Sequence, residues 1–438
     1  MMSAIIIASI AIAVFLGYKT KINTGFFCIL FAYLIGCFAM GLKPKSLIGF
    51  WPTNTMFVIL AVSVFYNFAA VNGTLEKLSS ALLYACRSFP GLLPFALFFV
   101  AVALSVMGAA YFTVLAFLAP ITILICEEAN MDKLTGAVAI NCGALAGGNF
   151  PTAALGVVFR GLMDTAYEST PGLPPLDSFS STLMMFGFAI LFSLILIAFF
   201  RFGFRGNRNI GQGVEFKKPE AFDQKQKITL YLMLLMMAVV LVFPVLKLLM
   251  PSNGLIGSIA GKIDVGLVAM CFTVAALLFD LAPQKEVIAR VPWNTIIMIA
   301  GAGMLIAVAV EAGTIEALSA WIGSNVPTAL VPIAFSFVAA FMSFFSSTTG
   351  VVAPALFPLI PALAASTGLN PAALFACTVL GAQSSAISPF SSGGSLILGS
   401  CGNEEDRNML FNRLLFVAVP VSVIACAVYN LVVSMVLR

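Results

Sequence analysis

The sequence lacks histidine and has few charged residues, which make up 9% of its 438 residues. The absence of imidazole excludes His metal ligands, His-based acid–base catalysis and His proton relays. Soluble domains carry about 25% charged residues, whereas hydrophobic residues reach 61% here. The composition therefore predicts an integral membrane protein, with most of its length in the lipid bilayer.

Two further absences narrow the kind of membrane protein. No glycine-rich loop is followed by Lys and Ser or Thr, which argues against ATP-driven transport. The nine cysteines stand singly without CxxC spacing, so we interpret them as small hydrophobic residues. A membrane-embedded enzyme would need paired acids, a Ser/Lys pair or histidine at depth, and the sequence shows no such constellation. We expect no enzyme activity, no cofactor and no nucleic-acid partner.

Apolar windows long enough to cross a hydrocarbon core of about 30 Å recur along the chain. Two others are interrupted by small and polar residues, and each is predicted to form a re-entrant hairpin of two short helices. The first window follows no basic segment, so it is predicted to be a membrane helix and not a signal peptide. The windows lie near 3–17, 25–42, 54–71, 134–160, 180–200, 228–250, 260–281, 294–311, 371–400 and 408–437, and the hairpins are 89–126 and 326–366.

The charged residues between these windows predict the orientation. If the chain starts outside and alternates sides, the basic loops 18–24, 201–227, 282–293 and 401–407 all face the cytoplasm. The outer loop 161–179 has three acidic residues and no Lys or Arg. This is the positive-inside distribution. It predicts a multi-pass protein of the inner (plasma) membrane with both termini outside and 201–227 as a cytoplasmic linker.

The two halves of the sequence resemble each other. The segment 73–79 (GTLEKLS) matches 313–319 (GTIEALS) at an offset of 240, and four Gly or Pro pairs follow at an offset of 238. Each half has five spans and one hairpin. Because five is an odd number of crossings, the second copy starts on the opposite side of the membrane and is inverted. Inverted repeats with broken helices are typical of secondary transporters. The pairs are Pro120 and Pro358, Gly143 and Gly381, Pro151 and Pro389, and Gly156 and Gly394.

This duplication predicts the domain organisation. The first inverted repeat is 1–200, with scaffold helices in 3–71, the hairpin 89–126, a broken helix 134–160 and a helix 180–200. The linker 201–227 follows. The second repeat is 228–438, with scaffold helices in 228–311, the hairpin 326–366, a broken helix 371–400 and a helix 408–437.

Four interruptions of the apolar pattern are expected to meet near the middle of the membrane: 108–113, 147–152, 346–350 and 383–394. Free N–H groups at the start of a half-helix attract carboxylates, while freed carbonyls and hydroxyls are oxygen ligands for Na⁺. The alternative is that Ser and Thr hydroxyls bind their own backbone and small residues serve packing. The candidate substrate-binding residues are Asn149, Pro151, Thr152, Ser347, Thr348, Thr349, Ser388 and Pro389, and the Na⁺ candidates are Gly108, Ala109, Gly148, Ser346, Ser347, Ser384 and Ser385.

Charged residues near these interruptions are few. Arg160 lies near the outer end of its predicted helix, where it would meet a substrate in transit or extend to the membrane surface. The second interpretation is the usual one for a long basic side chain.

The chain resembles the ion transporter superfamily, specifically the divalent anion:sodium symporters and the related malonate/dicarboxylate carriers. Ser347-Thr348-Thr349 is similar to the Ser-Asn-Thr motif of that family's hairpin tips, whereas Ala109-Ala110-Tyr111 and the adjacent Phe112-Thr113 depart from it. The breaks at 149–152 (NFPT) and Ser388-Pro389 resemble the family's other two binding segments. The resemblance implies Na⁺-coupled uptake of a small dicarboxylate such as malonate, malate or succinate. It also implies an elevator mechanism in a homodimer.

A Na⁺/H⁺ antiporter and an arsenite-type anion permease of the same superfamily are the alternatives. Proton antiport needs a titratable group at the ion site. The four interruptions contain no Asp, Glu or His, which argues against the antiporter.

Overall fold

A computed structural model describes residues 2–20, 22–85, 90–170, 172–203, 220–249, 254–260, 262–345, 348–401 and 403–436. Within these ranges the chain forms helices and no strand. The candidate residues Ser346 and Ser347 and much of the predicted linker 201–227 lie outside the described residues.

The first half of the chain contains long helices with shorter helices between them. Its helices are α1 (Met2–Thr20), α2 (Thr24–Tyr33, extended by a π-helical turn Leu34–Ala39), α3 (Pro44–Gly49), α4 (Thr53–Val71), α5 (Thr74–Ala85), α6 (Leu93–Val106), α7 (Tyr111–Glu128), α8 (Lys133–Gly148), α9 (Ala154–Glu168) and α10 (Ser178–Gly203).

The second half follows a similar order. Its helices are α11 (Gln224–Leu249), α12 (Gly254–Ala260), α13 (Val265–Leu278), α14 (Gln284–Ala289), α15 (Trp293–Glu311), α16 (Thr314–Asn325), α17 (Val331–Phe345), a π-helical turn Thr348–Val352, α18 (Ala353–Leu356), α19 (Ile360–Thr367), α20 (Pro371–Ser384), α21 (Ser392–Gly399), α22 (Glu404–Arg413), a π-helical turn Leu414–Ala418 and α23 (Val419–Val436).

Four helical segments among the described residues are long and apolar enough to cross a membrane by length and composition. The structure also contains other apolar helices, among them α1, α4 and α15 with 19 residues each. The number of ten spans stays a prediction. The four segments are Ser178–Gly203, Gln224–Val242, Thr348–Thr367 and Glu404–Met435.

Local conformations recur at the two sequence offsets. Helices α3 and α14 are 240 residues apart, and so are the residues that precede α4 and α15. Those residues, Pro52 and Pro292, have nearly the same backbone angles (φ −76°, ψ 70° and φ −77°, ψ 64°). Asp132 and Asn370, 238 apart, each cap the next helix through a side-chain oxygen. The two halves thus build the same local structure at corresponding positions.

The close packing of helices also recurs. Gly143 of α8 lies against the carbonyl oxygen of Phe98 in α6, and Gly381 of α20 lies against that of Ser336 in α17. A side chain at either glycine would overlap the facing backbone. Lipid tails are as apolar as the helices, so small residues that let backbones approach supply much of the packing in a membrane. Both helix pairs depend on this contact.

Helices α8 and α20 reach their breaks from opposite ends of the molecule. At their carboxyl ends Asn149 bonds to Gln383. At the start of α8, Asp132 pairs with Arg413 of α22, whereas Phe375 near the start of α20 packs against Tyr167 near the end of α9, with ring centroids 6.5 Å apart. The two helices therefore meet tip to tip, with their starting ends far apart.

Polar contacts join loops that the charge distribution places on one side of the membrane. Asn23 donates to the carbonyl of Asn294 at 2.7 Å, and Lys225 pairs with Asp280 at 2.8 Å. All four residues lie in or beside segments predicted to be cytoplasmic. These contacts support the predicted grouping of the loops, and which side is cytoplasmic stays a prediction.

A cluster of ion pairs ties the start of α8 to α22. Arg413 donates through both terminal nitrogens to the two carboxylate oxygens of Asp132, each at 2.6 Å. Lys133 contacts Asp406 at 2.7 Å and Glu127 at 2.6 Å. Burial lowers the pKa of the Lys133 ammonium group, but these hydrogen bonds outweigh it and the net shift is upward. The bidentate geometry and the partial burial make this a firm link between the two halves.

Candidate functional site

The first hairpin turns at Gly108, between α6 and α7. Its φ of +95° lies in the region that favours glycine. A Cβ at this position would overlap the ring of Tyr66 in α4. The turn therefore requires glycine both for its backbone angle and for the close approach of the tip to α4.

Tyr111 holds the first tip in place. It is the first residue of α7, and its buried hydroxyl donates to Oδ1 of Asn141 in α8 at 2.6 Å. The tip thus rests on α8, which ends at the helix break 147–152, called the first break below. The hydrogen bond gives this tyrosine a positioning role.

Two side-chain hydrogen bonds join the first break to the second break, which is the interruption 383–394 after α20. Nδ2 of Asn149 donates to Oε1 of Gln383 at 3.0 Å, and Nε2 of Gln383 donates to Oδ1 of Asn149 at 2.8 Å. Both side chains are buried. Asn149 was predicted to bind substrate, and in this structure its amide links the two breaks.

Arg160 of α9 points back to the first break. Its Nη1 donates to the carbonyl oxygen of Pro151 at 3.3 Å, and its guanidinium lies 5.5 Å from the ring centre of Phe179. Arg160 therefore contacts the first break, and its position relative to the membrane surface stays a prediction.

The serines of the second break bind the backbone. The Ser384 hydroxyl donates to the Gly381 carbonyl at 2.6 Å, and that of Ser385 donates to the Ala340 carbonyl at 2.7 Å. The backbone N–H of Phe390 donates to the Ser388 hydroxyl at 3.2 Å. This is the alternative that the sequence left open, and it arises because a broken helix leaves carbonyls and N–H groups that nearby hydroxyls satisfy.

A cavity of about 570 Å³ lies between the two hairpin tips and α4. Of the predicted site residues, the structure brings four into its lining: Gly108, Ala109, Thr348 and Thr349. The Thr348 hydroxyl lies 3.1 Å from that of Ser343. Among the described residues, the predicted ones that do not line this cavity are Gly148, Asn149, Pro151, Thr152, Ser384, Ser385, Ser388 and Pro389.

Three helix starts face this cavity. Tyr111, Phe112 and Thr113 begin α7, Ala154 and Leu155 begin α9, and Gly393 lies in the first turn of α21. The residues before α7 and α9 are Ala110 and Ala153, which provide no side-chain cap. Helix starts are usually capped by Ser, Thr, Asp or Asn. The uncapped N–H groups and the positive ends of these helices favour an anion in the cavity.

Polar side chains that were not among the predicted site residues also line the cavity. Ser63, Tyr66 and Asn67 come from α4, and Arg290 comes from the loop before α15. Asn67 was recognisable as a polar residue inside an apolar helix. Arg290 counted only toward the charge of its loop, because nothing in the linear sequence places that loop beside a hairpin tip.

Two buried hydroxyls near the first break have no hydrogen-bond partner in the described part of the chain. They belong to Ser105 of α6, which packs on Gly147, and to Thr152. Both side chains are fully buried. An unpartnered buried hydroxyl costs about 1–3 kcal/mol, so these oxygens suit a bound cation or a water. They fit the oxygen chemistry that Na⁺ requires, and Ser105 is an addition to the predicted set.

The break between α8 and α9, the turned-back tip at Gly108 and a cavity with polar side chains in its wall are features of a membrane transporter, not of an enzyme. Two solved structures share this fold. The YdaH transporter of Alcanivorax borkumensis matches with a TM-score of 0.60 and 19% identity, over 92% of this chain and 87% of that one. MtrF of Neisseria gonorrhoeae, from a class of antimetabolite efflux pumps, matches with a TM-score of 0.60 and 14% identity, over 93% and 85%.

Family models identify the chain more closely. Residues 1–148 match the model of the dicarboxylate carrier protein MatC N-terminus, and residues 255–437 match the model of the citrate transporter. A search of curated proteins gave no match. The predicted resemblance to the dicarboxylate carriers is confirmed by these two matches, and the predicted all-helical transporter fold is confirmed by the two solved structures.

Proposed function

We propose that this protein is a secondary carrier that takes up a small dicarboxylate such as malonate, malate or succinate together with Na⁺. The observation that carries the proposal is the convergence of three helix starts, two of them uncapped, on one cavity. Its volume lies in the range of about 300–1,000 Å³ typical of small-molecule sites. Hydroxyl, amide and guanidinium donors line it, and its described lining contains no Asp or Glu.

The second part of the proposal is the Na⁺ site at the first break. Ser105 and Thr152 would supply hydroxyl oxygens, and the freed carbonyls near Gly108 and Gly148 would complete the oxygen set. At the second break, the hydroxyls of Ser384 and Ser385 already donate to backbone carbonyls. One Na⁺ site at the first break is therefore better supported than a symmetric pair.

The mechanism we propose is an elevator built on an inverted repeat. The recurrence of local structure at 238 and 240 residues and the tip-to-tip arrangement of α8 and α20 support the inversion. The ion pairs between α8 and α22 and the amide pair between the breaks join the substrate-binding elements of both halves into one body. Such a body would move across a scaffold made of the other helices. The homodimer and the location in the inner membrane follow from the family resemblance.

Uptake into proteoliposomes tests this function. Radiolabelled malonate, malate, succinate and citrate are supplied in turn with and without an inward Na⁺ gradient, and we expect faster uptake of a dicarboxylate with the gradient. Uptake that responds to neither Na⁺ nor H⁺ for every anion would refute the proposal.

A matched pair of variants tests the site itself. Thr348→Ala removes a hydroxyl from the cavity wall and is expected to lower uptake with little loss of stability. Ser388→Ala removes a hydroxyl that binds backbone away from the cavity, and it is expected to lower the melting temperature more than the substrate affinity. The reverse pattern would show that the cavity is not the substrate site.

A further inference from the structure

We infer that Arg290 is an anion-binding residue at one mouth of the cavity and that it makes the carrier asymmetric between the two faces of the membrane. This inference rests on the proposed function and adds a binding residue on the scaffold side of the site.

The backbone around Arg290 is firmly held. It follows α14, and its N–H donates to the carbonyl of Glu286 at 3.3 Å. Val287 and Val291 on either side are 1% and 4% exposed. Asn67 of α4 donates to the carbonyl of Val287 at 3.1 Å. The guanidinium is therefore carried by a fixed segment although the side chain itself is exposed.

The guanidinium has donors to spare. Among the described residues its hydrogen bond is the one from Nη1 to the carbonyl oxygen of Ala70, and at 3.4 Å this bond is long. No described carboxylate lies within 4.0 Å of it. It is the one charged side chain in the described lining of the cavity. Five N–H donors in a planar fork suit a carboxylate.

The corresponding position in the first half carries no charge. Phe50 stands 240 residues before Arg290 and follows α3 as Arg290 follows α14, with similar angles (φ −74°, ψ −3° and φ −85°, ψ 0°). If the halves are inverted, the scaffold presents arginine at one face and phenylalanine at the other. A dianion would then be bound more tightly from the face of Arg290.

The test compares the KM for a transported dicarboxylate at the two faces. Protein is reconstituted in proteoliposomes, its orientation is measured by protease accessibility, and uptake and efflux are followed separately. We expect Arg290→Gln to raise the KM about fivefold at its own face, the size of a partly exposed charge pair of ~1 kcal/mol, with the opposite KM unchanged. Arg290→Lys keeps the charge but not the planar fork, and it is expected to raise the KM less than Arg290→Gln does.

Lys285→Gln is the matched control, because Lys285 lies in the same segment and outside the described cavity lining. It removes the same charge and is expected to leave both KM values unchanged. Equal KM changes at both faces in Arg290→Gln, or the same effect in Lys285→Gln, would overturn the inference while the proposed function stands. A wild-type protein that transports no dicarboxylate would overturn the proposed function itself.

Discussion

The unpartnered hydroxyl of Thr152 makes the Na⁺ site testable by stability alone. Thr152→Val keeps the shape of the side chain and removes the buried oxygen that has no partner in the described part of the chain. Because that oxygen costs about 1–3 kcal/mol when unsatisfied, the variant is expected to be more stable than the wild type in Na⁺-free buffer.

Sodium is expected to narrow this difference. At a Na⁺ concentration ten times its Kd, a bound ion stabilises the wild type by about 1.4 kcal/mol. The variant loses this ligand, so its apparent melting temperature should barely respond to Na⁺. A change of 1 kcal/mol corresponds to a shift on the order of 1 °C in a chain of 438 residues, which a thermal-shift assay in detergent detects.

Thr122→Val is the control. The Thr122 hydroxyl is also buried without a partner among the described residues, but its side chain packs on Gly136, and the 12 residues of α8 from there to the first break span about 18 Å. This variant is expected to gain stability equally in Na⁺ and in choline and to keep the full Na⁺ response. If Thr152→Val responds to Na⁺ as strongly as Thr122→Val does, the assignment of Thr152 to the ion site is wrong.

Three further groups of variants test the ion pairs, the first hairpin tip and the contact between the two breaks. Arg413→Ala leaves the Asp132 carboxylate, which is 7% exposed, without its guanidinium partner, and we expect the free energy of unfolding to fall by about 2–3 kcal/mol. Lys225→Ala removes one partner of an exposed ion pair and should cost under about 1 kcal/mol. Similar losses in the two variants would contradict this ranking. Gly108→Ala forces a Cβ into an aromatic ring at positive φ, and it should cost at least about 2 kcal/mol and abolish uptake; normal uptake would show that the tip has another conformation. Asn149→Ala and Gln383→Ala should each cost about 2 kcal/mol, with a double variant well short of the sum, and additive losses would exclude the amide pair.

The fold class was readable from the sequence because the bilayer leaves few options. A chain with 9% charged residues must satisfy its backbone within helices, and the family models agree with the transporter interpretation. Helix ends were also accessible to prediction, since Gly and Pro mark them locally. The structure ends α8 at Gly148 and α20 at Ser384, within the interruptions predicted at 147–152 and 383–394.

The assignment of residues to the cavity was less predictable. The sequence pattern identified both tips, and the structure lines the cavity with Thr348 and Thr349. The sequence pattern also predicted Asn149 and the serines of the second break as site residues. In the structure, Asn149 bonds to Gln383 and the serines bond to the backbone. Whether a hydroxyl in a broken helix faces a ligand or a freed carbonyl depends on which atoms lie across from it, and spacing along the chain does not encode this.

The sequence by itself determined that the chain is helical, lies in the membrane, and breaks its helices near residues 148 and 384. Only the tertiary structure decided that Arg290 and three polar residues of α4 line the cavity, and that the Asn149–Gln383 pair joins the breaks. The physical reason is that helix breaks arise from local backbone chemistry, whereas a binding cavity arises from helices far apart in sequence that pack side by side.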